Sequence, residues 1–225
     1  MIGDIAHIYN RGVDKRKIFN GHSDYKRFRD NLFLLNNLEG KIRTKLPDIF
    51  SSDAKLPERD KLVEVLKWSL LPNHFHILLY EMIDGGILEF TKRLGNAYTK
   101  YFNLKNNGRS GYLFQNSAKI VPMQSESYFA YIPIYIDLNP IDLIPKSSHK
   151  KLELLKSYEW SGLKNYYGEC QDDKIVNKEL FYKVFETNPN KYERDLKGFL
   201  ENRQKLETEL RSTKGVNLAG WHLAE

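Results

Sequence analysis

Leu62-Val63-Glu64-Val65-Leu66-Lys67-Trp68-Ser69-Leu70-Leu71-Pro72-Asn73-His74-Phe75-His76-Ile77-Leu78-Leu79-Tyr80 is the stretch that decides the fold. Leu62 to Leu70 reads as a strand, Pro72-Asn73 as a tight turn, and His74 to Tyr80 as the returning arm of a hairpin. Successive side chains on a strand alternate faces, so His74 and His76 point one way and Phe75 the other. Two imidazoles side by side are a ready pair of divalent-metal ligands, and they ask for a third ligand from elsewhere.

Ahead of the hairpin, Ile5–Tyr9 reads as a first strand, and Ser23–Leu38 as a helix with Ser23 as its N-cap. Residues 41–61 are polar, carry Pro47 and Pro57, and read as a loop or broken helix. After the break at Asp84-Gly85-Gly86, the spacing predicts a helix over Ile87–Phe102 and a turn at Asn106-Asn107-Gly108. A fourth strand is expected over Tyr112–Val121, and a helix over Ser125–Leu138 stopped by Asn139-Pro140. The order β-α-β-β-α-β is that of the split ferredoxin-like unit: an α+β fold with an antiparallel four-stranded sheet and helices on one face. We expect this core to span residues 1–145, and residues 146–225 to form a helical extension. In that extension Trp160 to Tyr167 packs back onto the core, a helix covers Leu180–Phe185, and a longer charged one covers Lys191–Leu210.

The composition is that of an ordinary globular chain: 225 residues, 41% hydrophobic and 28% charged. No apolar run approaches the roughly 20 residues of a membrane span. The opening Met1-Ile2-Gly3-Asp4 has no basic-then-apolar pattern, so no secretory signal is expected. The single Cys170, in a polar loop, excludes an internal disulfide framework and fits a cytoplasmic protein. A net charge of +6 leans toward a polyanionic partner. Thr91–Ile120 holds six basic residues and no acidic one, with Tyr98, Tyr101, Phe102, Tyr112 and Phe114 interleaved. Cations and rings together suit single-stranded nucleic acid; the competing reading is a solvated helix face over core aromatics.

The third ligand has a source. In Tyr135-Ile136-Asp137-Leu138-Asn139-Pro140, Tyr135 and Asn139 are four apart and share a helix face if the last turn holds. Beside His74 and His76 they would complete a divalent metal site with a phenol next to it.

These pieces together resemble a known family. Pro72-Asn73-His74-Phe75-His76, then Gly111-Tyr112-Leu113-Phe114-Gln115, then the Tyr135–Pro140 segment are similar, in order and separation, to the HUH-type single-tyrosine transposases, and nearest to the REP-associated tyrosine transposase branch. His7-Ile8-Tyr9-Asn10-Arg11-Gly12 resembles that family's start, and Tyr158-Glu159-Trp160-Ser161-Gly162-Leu163 the segment after its catalytic core. The resemblance covers roughly residues 5–168; it departs in the long lysine-rich loop at 41–61 and at Asn116-Ser117. It implies a nuclease and strand transferase acting on single-stranded or hairpin DNA through a 5′-phosphotyrosine. Tyr135 would be the nucleophile, His74, His76 and Asn139 the metal ligands, and Mg²⁺ or Mn²⁺ the cofactor.

Alternatives stand beside it. Tyr128 and Tyr131 are rival tyrosines on the same helix, and His7 is a candidate to orient a ligand from the first strand. Arg11, Arg93, Arg109, Gln115 and Lys119 are candidate DNA contacts against plain solvation. A non-catalytic single-stranded nucleic-acid-binding protein would share the topology, and a metal-dependent phosphodiesterase using water would share the metal site. A monomer and a homodimer both fit.

Overall fold

Nine consecutive buried positions make Val63–Leu71 (β2) an anchor of the sheet, unusual for a strand at its edge. The computed structural model describes residues 1–40, 59–123, 125–145, 148–167 and 174–212, with side chains described to residue 203. Cys170 and most of the loop at 41–61 lie outside the described residues. β2 turns at Pro72-Asn73 into His74–Glu81 (β3), which pairs antiparallel with Ile5–Arg11 (β1). β1 pairs in turn with Lys119–Pro122 (β4). The order β2-β3-β1-β4, antiparallel throughout, is the ferredoxin-like sheet, with the histidine strand in the interior.

β2 stays dry because later chain covers its free edge. Leu70 N–H donates to the Trp160 carbonyl, Gly162 N–H to that of Trp68, and Asn177 N–H to that of Val65. An edge strand left open would offer unpaired backbone to any other chain. A Cβ on Gly162 would press on the Trp68 indole at 3.0 Å, so glycine permits this approach.

β4 is shorter than the expected Tyr112–Val121. Phe114 makes one bridge to Gly12, and the ladder resumes only at Lys119 opposite Tyr9. Two residues of β1, Asn10 and Arg11, thus face four, Gln115 to Ala118, and the surplus bulges out. Asn10 Nδ2 donates to the Asn116 carbonyl in place of a ladder bond.

Helix α1 spans His22–Leu34 and α2 Gly86–Lys105. Ser23 is not the cap expected of it. Gly21 occupies that position, and the Asp24 carboxylate accepts the Asn20 N–H. Ser23 Oγ is instead met by Lys105 Nζ at 2.8 Å. α1 ends before Leu38 because Asn36 is taken by the sheet: its amide donates to the Val63 carbonyl and accepts from the N–H groups of Leu62 and Val63. Both helices lie on the Ile8/Phe75/Ile77 face, where Phe28 meets Phe75 and Tyr98 at ring separations of 4.8 and 5.0 Å. Most aromatics of the basic stretch belong to this core or its margin. Tyr98, Phe102 and Phe114 are buried and Tyr101 is partly buried, while Tyr112 is 86% exposed.

The opposite face carries Glu126–Leu138 (α3), capped by Ser125, whose hydroxyl accepts the Tyr128 N–H. Short helices α4 (Lys151–Ser157), α5 (Lys164–Tyr167) and α6 (Lys178–Val184) follow, then the long α7 (Pro189–Ser212). Here the central contact is charged. Lys67 Nζ of β2 meets Asp137 Oδ2 of α3 at 2.7 Å, both side chains 0% exposed. Tyr166, Tyr192 and Phe181 surround the ammonium at 3.3, 4.1 and 4.4 Å from their ring centres. Tyr192 Oη also donates to Asp137 Oδ2 at 2.6 Å. Burial lowers the Lys67 pKa to about 8 and raises that of Asp137, each drawn back by the other. α3 is thereby fixed to the sheet below it and to the C-terminal helices around it. Among the described residues no helix is long and apolar enough to cross a membrane.

Candidate active site

The site forms where α3 crosses the polar face of β1 and β3. Register decides who meets whom: Tyr9 lies opposite His76, and Arg11 opposite His74. His7, Tyr9, His74 and His76 therefore project from one face, as alternation requires. His74 and His76 sit with ring centres 5.1 Å apart.

The last turn of α3 does hold. Asn139 keeps helical φ and ψ of −55° and −39°, so its side chain stacks one turn beyond Tyr135. Asn139 Oδ1 lies 3.1 Å from His74 Nε2. The Tyr135 ring stands edge-on to His76 at 5.3 Å and to His7 at 6.2 Å. The four residues Tyr135, His74, His76 and Asn139, separated by up to 65 positions in sequence, are thus brought together. Burial raises the Tyr135 pKa, and a side-chain hydrogen bond with Asn139 pulls it back.

Both imidazoles are held by Nδ1. Asn73 Nδ2 donates to the Lys15 carbonyl at 3.3 Å, which leaves Asn73 Oδ1 facing His74 Nδ1 at 2.7 Å. His7 Nε2 faces His76 Nδ1 at 2.9 Å, and His7 Nδ1 faces Tyr128 Oη at 3.1 Å. The Nε2 atoms are what remain. His76 Nε2 is buried and has no hydrogen-bond partner among the described residues. With Nδ1–H given to Asn73, His74 Nε2 presents a lone pair toward the lone pairs of Asn139 Oδ1. Two facing acceptors and an orphaned buried nitrogen are a poor arrangement unless something positive joins them, so this donor set fits a divalent cation. Among the described residues no three His, Cys, Asp or Glu side chains are grouped to hold a metal; here the third donor would be an amide oxygen. Burial holds His7 down to about 3 and His76 well below the usual histidine range, so both stay neutral, as ligation requires.

The candidate DNA contacts divide. Arg11 and Lys119 flank the histidines, on β1 and β4, and Gln115 N–H donates to the Arg11 carbonyl. Arg93 belongs elsewhere: on α2, across the sheet, it binds Glu89 Oε1 and the Asn37 carbonyl, both at 2.6 Å. Arg109 braces the turn after α2, donating to Asn103 Oδ1 and the Tyr112 carbonyl. Tyr131 packs between Tyr135 and Phe199 of α7. The sequence reading missed Lys67 and, at Asn73, saw the turn but not the contact with His74. A lysine flanked by Val65, Leu66 and Trp68 in a mostly apolar strand was the available signal for Lys67.

No family model and no curated protein matches the sequence. Among solved structures, one described as the REP-associated tyrosine transposase bound to a REP hairpin aligns at a TM-score of 0.44 and 11% identity, covering 79% of this chain and 87% of that one. At that similarity the strand order and pairing of this chain, and not the alignment, carry the fold.

Proposed function

We propose that this protein is a transposase-like strand transferase that cleaves and rejoins single-stranded or hairpin DNA with Tyr135 as nucleophile. The observation that carries the reading is the convergence of Tyr135 and Asn139, from one helix end, on the His74/His76 face of β3. A divalent cation, Mg²⁺ or Mn²⁺, held by His74 Nε2, His76 Nε2 and Asn139 Oδ1 would polarise the scissile phosphodiester and offset its developing charge.

Tyr135 Oη attacks phosphorus and the bond to the 3′ oxygen breaks. The phenolic proton is lost, and the departing 3′ oxygen gains one. The products are a 5′-phosphotyrosine and a free 3′-hydroxyl that can reverse the step. The phosphodiester bond energy is kept in the covalent link, so joining needs no nucleotide. A buried phenol is a weak nucleophile, and the Asn139 amide beside it favours the phenolate. Arg11 and Lys119, on the strands flanking the histidines, would supply cations to backbone phosphates on either side. The exposed Tyr112 ring suits stacking on a base.

The test incubates the protein with Mn²⁺ and a hairpin-bearing single strand and looks for a protein–DNA adduct that survives denaturant. Wild type forms it, and removal of the metal with chelator abolishes it. An adduct that persists in Tyr135→Phe overturns the nucleophile. Cleavage without any adduct favours a water-using phosphodiesterase, and binding without cleavage favours a non-catalytic nucleic-acid protein.

A further inference from the structure

We propose that His7 and Tyr128 are positioning residues, a hydrogen-bonded relay that fixes the tautomer of His76 so that its Nε2 is offered as a lone pair to a divalent cation. The inference rests on the metal reading of the site and adds the device that prepares one ligand.

The two metal-facing histidines are supported differently. His74 has an amide oxygen on Nδ1, and an oxygen can only accept; Asn73 therefore selects the Nδ1–H form by itself. His76 has another imidazole on Nδ1. Across the 2.9 Å between His76 Nδ1 and His7 Nε2 there is room for one proton, which either ring can own. If His7 owned it on Nε2, His76 would carry its own proton on Nε2, and that buried N–H would have no acceptor among the described residues. It would also point a donor where a cation must bind. If His76 owns it, His7 carries its proton on Nδ1 and needs an acceptor there. Tyr128 Oη, 3.1 Å from His7 Nδ1, is that acceptor.

Geometry makes the chain specific. His7 is 3% exposed and His76 5%, so water does not readily substitute for either partner. Adjacent strands β1 and β3 carry the two rings, stacked at 19° with centres 5.1 Å apart. Tyr128 comes from α3, seven residues before Tyr135, so the helix that carries the phenol also closes the relay. A metal ligand whose other ring nitrogen loses its partner typically binds its ion 10–100-fold more weakly.

The experiment measures Mn²⁺ affinity by titration, and histidine tautomers by long-range ¹⁵N–¹H correlation in the Mg²⁺-loaded wild type. We expect His7→Phe, which cannot accept, to weaken Mn²⁺ about 10–100-fold, and His7→Gln, whose Oε1 can accept, to recover most of that loss. Tyr128→Phe should have a smaller effect in the same direction. The wild-type spectrum should show His76 protonated on Nδ1 and His7 on Nδ1. Wild type that binds Mn²⁺ while His7→Phe binds within twofold of it overturns the relay alone, as does a loaded protein in which His7 carries its proton on Nε2; a His76 Nε2–H in the loaded protein overturns the ligand role of His76 and the relay together. Wild type that binds no Mn²⁺ overturns the metal reading and the relay together. Should His7→Phe fail to fold, the wild-type spectrum and His7→Gln decide.

Discussion

The two faces of one sheet are built on opposite principles. Toward α1 and α2 the strands present Ile8, Phe75 and Ile77 to Phe28 and Tyr98, a packed apolar layer. Toward α3 they present His7, His76 and Lys67, buried as deeply. An apolar layer stabilises wherever water is excluded, in roughly additive increments. A polar layer loses stability with each partner it loses, so it favours one position of α3 and penalises the rest. The face that carries the candidate site is therefore the face that fixes geometry.

Predictions that break this contrast can be ranked by size. Tyr135→Phe should cut adduct formation by about 10³-fold or more while leaving thermal unfolding near wild type, since only a hydroxyl is lost. Phe28→Ala, on the apolar face, should cost about 3–5 kcal/mol in denaturant unfolding. It should leave the Mn²⁺ affinity of the folded fraction unchanged; a shift there would show that the faces are coupled.

Lys67→Met leaves Asp137 as a lone buried carboxylate and should also cost about 3–5 kcal/mol. The double variant Lys67→Met/Asp137→Leu should regain most of that stability, because the desolvation of both charges disappears. Adduct yield in the double variant reads whether the pair also sets α3 in register. If single and double variants are equally unstable, the pair is not a unit.

Acid should separate the faces next. The folded His7 pKa is depressed to about 3 by burial, whereas the unfolded chain binds its proton near 6.5. Its contribution is full above 6.5 and is lost as pH falls from 6.5 toward 3, amounting to about 2 kcal/mol by pH 5. His76 adds to the loss in the same direction. Unfolding of metal-free protein at pH 7.5 and pH 5 checks this, and His7→Gln should show a shallower decline. The smallest effect concerns charge at the rim. Lys119→Ala should reduce the salt slope of single-stranded DNA binding by about 0.7, and Arg93→Ala, tied to Glu89 across the sheet, should leave it unchanged.

Much of the candidate site was legible because strand alternation and helix periodicity are local rules. His74 and His76 share a face by period two, Tyr135 and Asn139 by period 3.6, and the hairpin turn is written in Pro72-Asn73. Errors fell where a distant partner overrode a local signal. Ser23 has a capping residue's chemistry, yet Lys105 takes its hydroxyl. Asn36 ends α1 early because the sheet needs its amide. Arg93 sits in a basic stretch but faces Glu89 and Asn37 rather than the histidines.

Element order and the sharing of a face by residue pairs are written in the local sequence, because both follow from backbone geometry over a few residues. Long-range packing sets Tyr135 and Asn139 over His74 and His76, His7 behind His76, and Lys67 against Asp137. Those pairings join residues about 60 to 70 positions apart, through sheet register and the seating of α3. Desolvation and packing choose that register and that seat across the whole chain, and no short window contains them.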